Sequence, residues 1–408
     1  RVREVLGPKP RLAATFDPEL VERAGRLIGS EARRNGVDVL LGPTVNLHRS
    51  PHGGRNFEAF SEDAVLTAQT GGALVDGIQS QGVAATAKHF IGNDSETERM
   101  TLDAVIDEAT LRSTYALPFE ELVVDHDVAA VMSSYNSING TSGTESPLLE
   151  SLLRAEWGFA SLVISDWGAV RSVEAAAVAR TDLAMPGPES PWSEGLVAAV
   201  RDGRADEADV DVKVASLLGL AARLGALSGI PPRQDPTALD DPHDPSSPAV
   251  RDLLATIAAR GAVLLRNEGA TLPLEPSPAS IAVIGPAATR LRVGGGGSAT
   301  VVPPHVVSVV TGIEAAFPDA LVHAVEGVTQ HRLLRPIGDR STNDLGAAGY
   351  DVELLDLEGT VLAAQARTGG ELIYGMGFPD GVDGDLVTRI RVTMTLHETG
   401  PRRIGVAG

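Results

Sequence analysis

At 408 residues and 43% apolar content, the chain has material for two or three cores, one of them large enough for an α/β barrel. A formal charge of −20 repels nucleic acid and anionic membrane surfaces, which leaves a neutral small molecule as the natural partner. Without cysteine there are no disulfides or thiolate ligands, and the nine histidines show no HExxH or comparable spacing, so neither a metal nor a cofactor is expected. No run of about 18 apolar residues is present to span a bilayer. The amino end, RVREVLGPKP, lacks the apolar stretch of a signal peptide and reads as the middle of a chain, which leaves the location unknown with the cytoplasm slightly favoured. Composition leaves self-association into a homo-oligomer open.

From Asp17 to about Leu227, short apolar or β-branched runs alternate with longer amphipathic stretches, the pattern of repeated βα units. Strands are expected at 38–43, 83–90, 128–136 and 162–167, with a weaker one at 182–187. Residues 107–124 and 146–158 carry apolar side chains at three-and-four spacing, which predicts helices packed outside a sheet. Residues 228–248, rich in Pro, Asp and Ser, read as an exposed linker. A helical stretch (249–269), a buried strand (280–288), a glycine-rich segment (294–300) and an amphipathic helix (306–317) begin a second α/β layer. Residues 349–368 and 386–408 alternate polar and β-branched residues between glycine turns and predict strands of an all-β module.

The expected strands of the first domain end in polar groups. Arg55, Glu58, Lys88, His89, Arg99, Tyr135, Asp166 and Trp167 all lie at or just beyond such ends. Cations and hydrogen-bond donors surround one carboxylate beside a planar aromatic. That make-up suits a neutral, hydroxyl-rich ligand, with Arg and Lys clamping oxygens and an indole packing on the apolar face of a sugar ring. Cations so placed favour the charged form of a carboxylate. Taken singly, each residue has a plainer role: Asp166 as turn former or helix cap, the Lys-His pair as a solvated loop, Glu58 as the ion-pair partner of Arg55, Tyr135 as a turn closer. Their recurrence at equivalent ends of successive βα units is what argues for a site.

The series GRNFEAFSEDA (54–64), KHFIGND (88–94), Arg99, MSSYNSING (132–140), LRAEWGF (153–159), SDWGA (165–169), DLAMPGP (182–188) and VLLRNEGATLPL (263–274) resembles the glycoside hydrolase family 3 β-glucosidases. The resemblance covers residues 12 to 315 and implies an α/β fold: a (β/α)8-type barrel (1–227) lacking its first strand, a linker (228–248), the first part of an αβα sandwich (249–335), and the start of an inserted protective-antigen-type β-module (336–408). It implies hydrolysis of a terminal β-D-glucosyl residue with retention, Asp166 being the nucleophile, and a small-molecule or oligosaccharide β-glucoside as partner. Arg55, Lys88, His89 and Arg99 match residues that hold the sugar hydroxyls, Tyr135 a neighbour of the nucleophile, and Trp167 a wall of the site. The loop after Lys88 has no second His, unlike the loops that mark N-acetylglucosaminidases.

Retaining hydrolysis needs two carboxyl groups about 5 to 5.5 Å apart, one charged and one protonated. No residue here is assigned as the acid/base. The resemblance implies that this Glu lies beyond Gly408, and that an Asp-Gly-Pro segment and a first strand precede Arg1, so the chain as it stands is expected to be deficient in turnover. Three other readings remain open: carbohydrate binding without turnover, β-xylosidase or N-acetylglucosaminidase specificity in the same fold, and a nucleotide site at IAVIGPAA (281–288) and GGGG (294–297). The last lacks the GxGxxG pattern, and Pro286 sits where an amide donor is wanted.

Overall fold

The computed structural model describes residues 9–188, 190–229, 247–288, 291, 294–295, 297–299, 303, 306–327, 341–368, 378–379 and 381–397. Most of the expected linker and part of the glycine-rich segment lie outside them. Two compact units divide the chain: residues 1–280 with 290–321, and residues 281–289 with 322–408.

The first unit opens with helices α1 (Lys9–Ala13) and α2 (Pro18–Arg34). α2 has strong start signals: the Asp17 carboxylate accepts from Leu20 N–H, Pro18 occupies the first turn where no amide is needed, and Arg33 and Arg34 complement the carboxyl end. It crosses α3 (Ala64–Gln79), itself capped by Asp63. The crossing is close because both helices present glycine: a Cβ at Gly25 would meet Leu74 O at 2.6 Å and Gly77 Cα at 2.9 Å, and one at Gly77 would run into the Glu22 carbonyl.

Four strands, β1 (Val39–Leu40), β2 (Ala84–Phe90), β4 (Ala130–Ser133) and β7 (Leu162–Ser165), form a parallel sheet in the order β1-β2-β4-β7. Short strands β3 (Asp103–Ala104), β5 (Ser137–Ile138) and β6 (Thr141–Ser142) make a separate small sheet. The four-stranded sheet alternates as its period requires. Ala85, Ala87, Val131 and Val163 belong to the core shared with α2, α3 and the helical stretch 108–124, while Ala84, Met132, Leu162 and Ile164 cluster on the other face with Leu220. A buried ion pair ties β7 down: Arg154 Nη2 donates to Asp182 Oδ2 (2.6 Å), which also accepts from Val163 N–H (2.7 Å).

Several expectations are corrected. The stretch 107–124 is α4 (Glu108–Thr110), a π-helical turn (Leu111–Ala116) and α5 (Leu117–Val124), and 149–156 is π-helical throughout. Pro118, without an amide hydrogen, cannot continue the i→i−4 ladder, and the preceding turn widens. The strand expected at 182–187 reduces to a single bridge of Leu183 to Ile164, because Pro186 and Pro188 withdraw ladder donors. Past α6 (Glu174–Val178), α7 (Ser193–Arg201) and α8 (Glu207–Arg223), the helix expected over 249–269 is α9 (Pro248–Arg260). It stops at Gly261, where a Cβ would strike the Arg11 carbonyl and side chain. Val250, Leu253 and Ile257 of α9 join the first unit's core. α10 (Val309–Ala316), capped by Ser308, lies within the helix expected there.

Strand β8 (Ser280–Ile284) pairs with β9 (Leu321–Val325). It is not buried: Ser280, Ala282 and Ile284 are exposed, since among the described residues β9 is its sole strand partner. The second unit continues with β10 (Ser341–Thr342), β11 (Tyr350–Leu355), β12 (Val361–Arg367), β13 (Arg389–Thr393) and β14 (Thr395–Leu396). They form antiparallel sheets, β12-β11-β13 and β10-β14, around Tyr350, Val352 and Leu354.

Gly77→Ala forces α2 and α3 apart and is expected to lower stability by about 1–3 kcal/mol, read as a reduced denaturation midpoint in urea.

Candidate active site

Because the four strands run parallel, their carboxyl ends gather at one edge of the sheet, and the candidate residues come with them. Lys88 and His89 end β2, Tyr135 follows β4, and Asp166 and Trp167 follow β7.

A regular strand would send Lys88 and His89 to opposite faces. The β2–β4 ladder avoids this with a bulge: Lys88 pairs with Met132 and Phe90 with Ser133, which leaves His89 outside the register. Its backbone groups bond to a side chain instead. Asn46 Oδ1 accepts from His89 N–H (2.8 Å), and Asn46 Nδ2 donates to His89 O (2.9 Å). Nothing in the sequence singled out Asn46, whose role depends on a contact 43 residues away.

Asp166 is buried, at 8% exposure. Its Oδ1 accepts from Trp167 N–H (2.8 Å), while Oδ2 lies 3.3 Å from His89 Nε2 and 3.6 Å from Arg99 Nη2. Oδ2 itself accepts no hydrogen bond from a described residue. Burial, together with the charges of Lys88, Arg55 and Arg99, holds the His89 imidazole well below its usual basicity, so it is neutral. Arg99 lies over the Tyr135 ring, 4.5 Å from the centroid, with its Nε 3.2 Å from Glu96 Oε2. The Tyr135 hydroxyl donates to Trp167 O (2.8 Å), which links the ends of β4 and β7. Burial, and then the Asp166 charge, push that phenol up to about 12. Trp167 is 40% exposed.

Glu58 organises the other side of the site. From a 3-10 turn (Asn56–Glu58) its carboxylate takes two bonds from Arg55, Nε to Oε1 (2.7 Å) and Nη2 to Oε2 (3.0 Å), and lies 3.5 Å from Lys88 Nζ. Burial alone would raise this carboxyl; the Arg55 bonds and the Lys88 charge outweigh it and bring it below the usual range. Glu58 is thus charged and committed to its cations, as the plainer sequence reading had it, and cannot serve as a proton donor. Glu96 is committed to Arg99, and Glu98 lies in an exposed turn. A small cleft lined by Thr44, Asn46, Arg55, His89, Asn93 and Asp94 adjoins the site. Among the described residues no group of three His, Asp or Glu is disposed to hold a metal ion.

The arrangement defines a class: an α/β protein whose strand ends bring one buried carboxylate together with cationic side chains. Residues 3–220 match the glycosyl hydrolase family 3 N-terminal domain and residues 262–380 its C-terminal domain. The chain belongs to glycosyl hydrolase family 3. It is 44% identical over 402 residues to a β-glucosidase of Rhizobium radiobacter, covering 97% of this chain and 47% of that protein. With probable β-glucosidase J of Emericella nidulans it shares 37% identity over 340 residues, covering 83% of this chain and 39% of that protein. Among solved structures, the β-glucosidase of Kluyveromyces marxianus in complex with glucose superposes with a TM-score of 0.75 at 30% identity, over 89% of this chain and 45% of that one. DesR, a β-glucosidase from Streptomyces venezuelae in complex with D-glucose, gives 0.73 at 31% identity, over 88% and 49%. The chain spans about half the length of the curated relatives it matches.

The Glu58 carboxyl sets a pH dependence. Its folded value lies below the unfolded one of about 4.3, so its stabilisation is present above that value and is lost as pH falls through the lower, folded value. Glu58→Gln is expected to flatten the acid limb of a Tm-versus-pH curve. At neutral pH it should cost about 2 kcal/mol, because Arg55 and Lys88 lose their counter-charge.

Proposed function

We propose that this chain carries the nucleophilic half of a retaining β-glucosidase, with a terminal β-D-glucosyl residue as its substrate. The observation that carries the reading is the bare, buried Oδ2 of Asp166 among Arg55, Lys88, His89 and Arg99, in a chain whose relatives are named β-glucosidases. The cations and His89 hold sugar hydroxyls, and Trp167 packs on the ring's apolar face. Asp166 Oδ2 forms a bond to the anomeric carbon as the bond from that carbon to the leaving oxygen breaks, and the electron pair goes to the leaving oxygen. Water later attacks the same carbon, the bond to Oδ2 breaks with its electron pair returning to the carboxylate, the water gives up a proton to solvent, and the sugar is released. Oδ1 stays fixed by Trp167 N–H throughout, so one oxygen orients the carboxylate while the other reacts.

No described residue is assigned as the protonated carboxyl that assists the leaving group: Asp94, raised to about 6 by burial, lines the adjoining cleft but is held by Leu47 N–H. Glu58 and Glu96 are both engaged with arginines. The domain arrangement that fits is a barrel to residue 227, a linker to 248, then the sandwich and β-module. Binding without turnover is the rival reading, and it is favoured by that same lack of a donor nearby.

The test uses a leaving group that needs no proton. 2-Deoxy-2-fluoro-β-D-glucosyl fluoride expels fluoride, and the electron-withdrawing fluorine stalls the second step. Intact-mass spectrometry should show one fluoroglucosyl adduct, and peptide mapping should place it on Asp166. Asp166→Ala should give none. A wild-type chain that binds the sugar but forms no adduct would establish binding alone.

A further inference from the structure

His89 and Asp166 pose a question of proton placement that the proposed reaction leaves open. His89 Nδ1 lies 3.1 Å from Asn46 Oδ1, the oxygen that already accepts from His89 N–H. The orientation of the Asn46 amide is set by the backbone of His89, since its nitrogen donates to the His89 carbonyl. An amide oxygen only accepts, so Nδ1 must carry a hydrogen. In a neutral imidazole, Nε2 then holds a lone pair, and it is Nε2 that stands 3.3 Å from Asp166 Oδ2.

We propose that Asn46 is a positioning residue for the reaction: it locks the His89 bulge and the Nδ1–H tautomer, so that His89 presents an acceptor to the nucleophile and places no donor on Oδ2.

Three observations agree. Oδ2 accepts no hydrogen bond from a described residue although it is buried. The imidazolium form, which would place a donor on Oδ2, is opposed by burial and by Lys88, Arg55 and Arg99, the cations that face the ring, and Asp166 is the one carboxylate within 4.0 Å of it among the described residues. Asn46 and His89 are both almost fully buried, so water does not compete for these bonds. The consequence is chemical. A hydrogen bond to Oδ2 would stabilise its charge and weaken it as a nucleophile. A lone pair 3.3 Å away does the opposite, and that repulsion fades as the charge passes into the new bond to carbon. Nε2 is also left to accept from a sugar hydroxyl, so the hydroxyl that meets His89 does so as a donor.

The kinetic consequence rests on the assignment of Asp166 as nucleophile, whereas the tautomer does not, so two measurements separate them. Long-range proton–nitrogen correlation spectra of the chain labelled with ¹⁵N-histidine, with His89 assigned by comparison with His89→Gln, should show Nδ1 protonated and Nε2 unprotonated at neutral pH. An Nε2–H tautomer, or two protonated nitrogens, overturns the proposal whatever the catalytic outcome, and this arm needs no variant at Asn46 to fold. In the trapping reaction, Asn46→Ala should slow the maximal inactivation rate by about tenfold or more, with half-saturation little changed. In Asn46→Asp the negative charge favours imidazolium, and the trapping rate should gain a limb that rises with pH, absent from wild type. Wild-type rate and pH profile in folded Asn46→Ala and Asn46→Asp would also overturn it. Failure of the wild-type chain to form any adduct, with the tautomer as stated, would instead count against the assignment of Asp166.

Discussion

The parallel register of β2, β4 and β7 is the constraint on which the site depends. Ala130 opposite Leu162, Thr86 opposite Ala130 and Lys88 opposite Met132 bring three strand ends level, so polar groups separated by some eighty residues meet at one edge. Parallel strands must be joined by crossovers, and the crossovers here are the helical stretches that bury Val131 and Val163 on the outer face. The Arg154–Asp182 pair, bonded through Asp182 to Val163 N–H, holds β7 just before Asp166.

Around that edge the charges sort themselves into two groups. Glu58 gathers Arg55 and Lys88, fixing two long side chains that would otherwise sample many rotamers. Arg99 is held by Glu96 and the Tyr135 ring, and it approaches Asp166 no nearer than 3.6 Å. One buried carboxylate is therefore tightly paired and structural, while the other keeps an oxygen bare. Two residues of the same charge type thus have opposite roles, set by their surroundings alone.

The βα alternation, the strand positions near 84–90, 130–133 and 162–165, and the cluster Arg55, Lys88, His89, Arg99, Tyr135, Asp166 and Trp167 were legible because apolar period and polar strand ends are local signals. The reading of Glu58 as a partner of Arg55 held for the same reason, since three residues separate them. What was not legible depended on through-space contact. The π-helical turn at 111–116 answers to a missing amide at Pro118, the close approach of Gly261 to Arg11 joins segments far apart in the chain, and the shrinkage of the 182–187 strand to one bridge answers to its prolines acting within a ladder.

By itself the amino-acid sequence determined which residues are available for chemistry and that parallel strands would present them, because hydrophobic period dictates which face is buried and where a strand must stop. Only the tertiary structure decided that a bulge turns His89 to the same side as Lys88, that Asn46 clamps it there, and that Oδ2 of Asp166 is left without a donor. Those three facts depend on distances between segments far apart in the chain. Hydrogen-bond partners across such separations are selected by packing, which no local pattern of residues encodes.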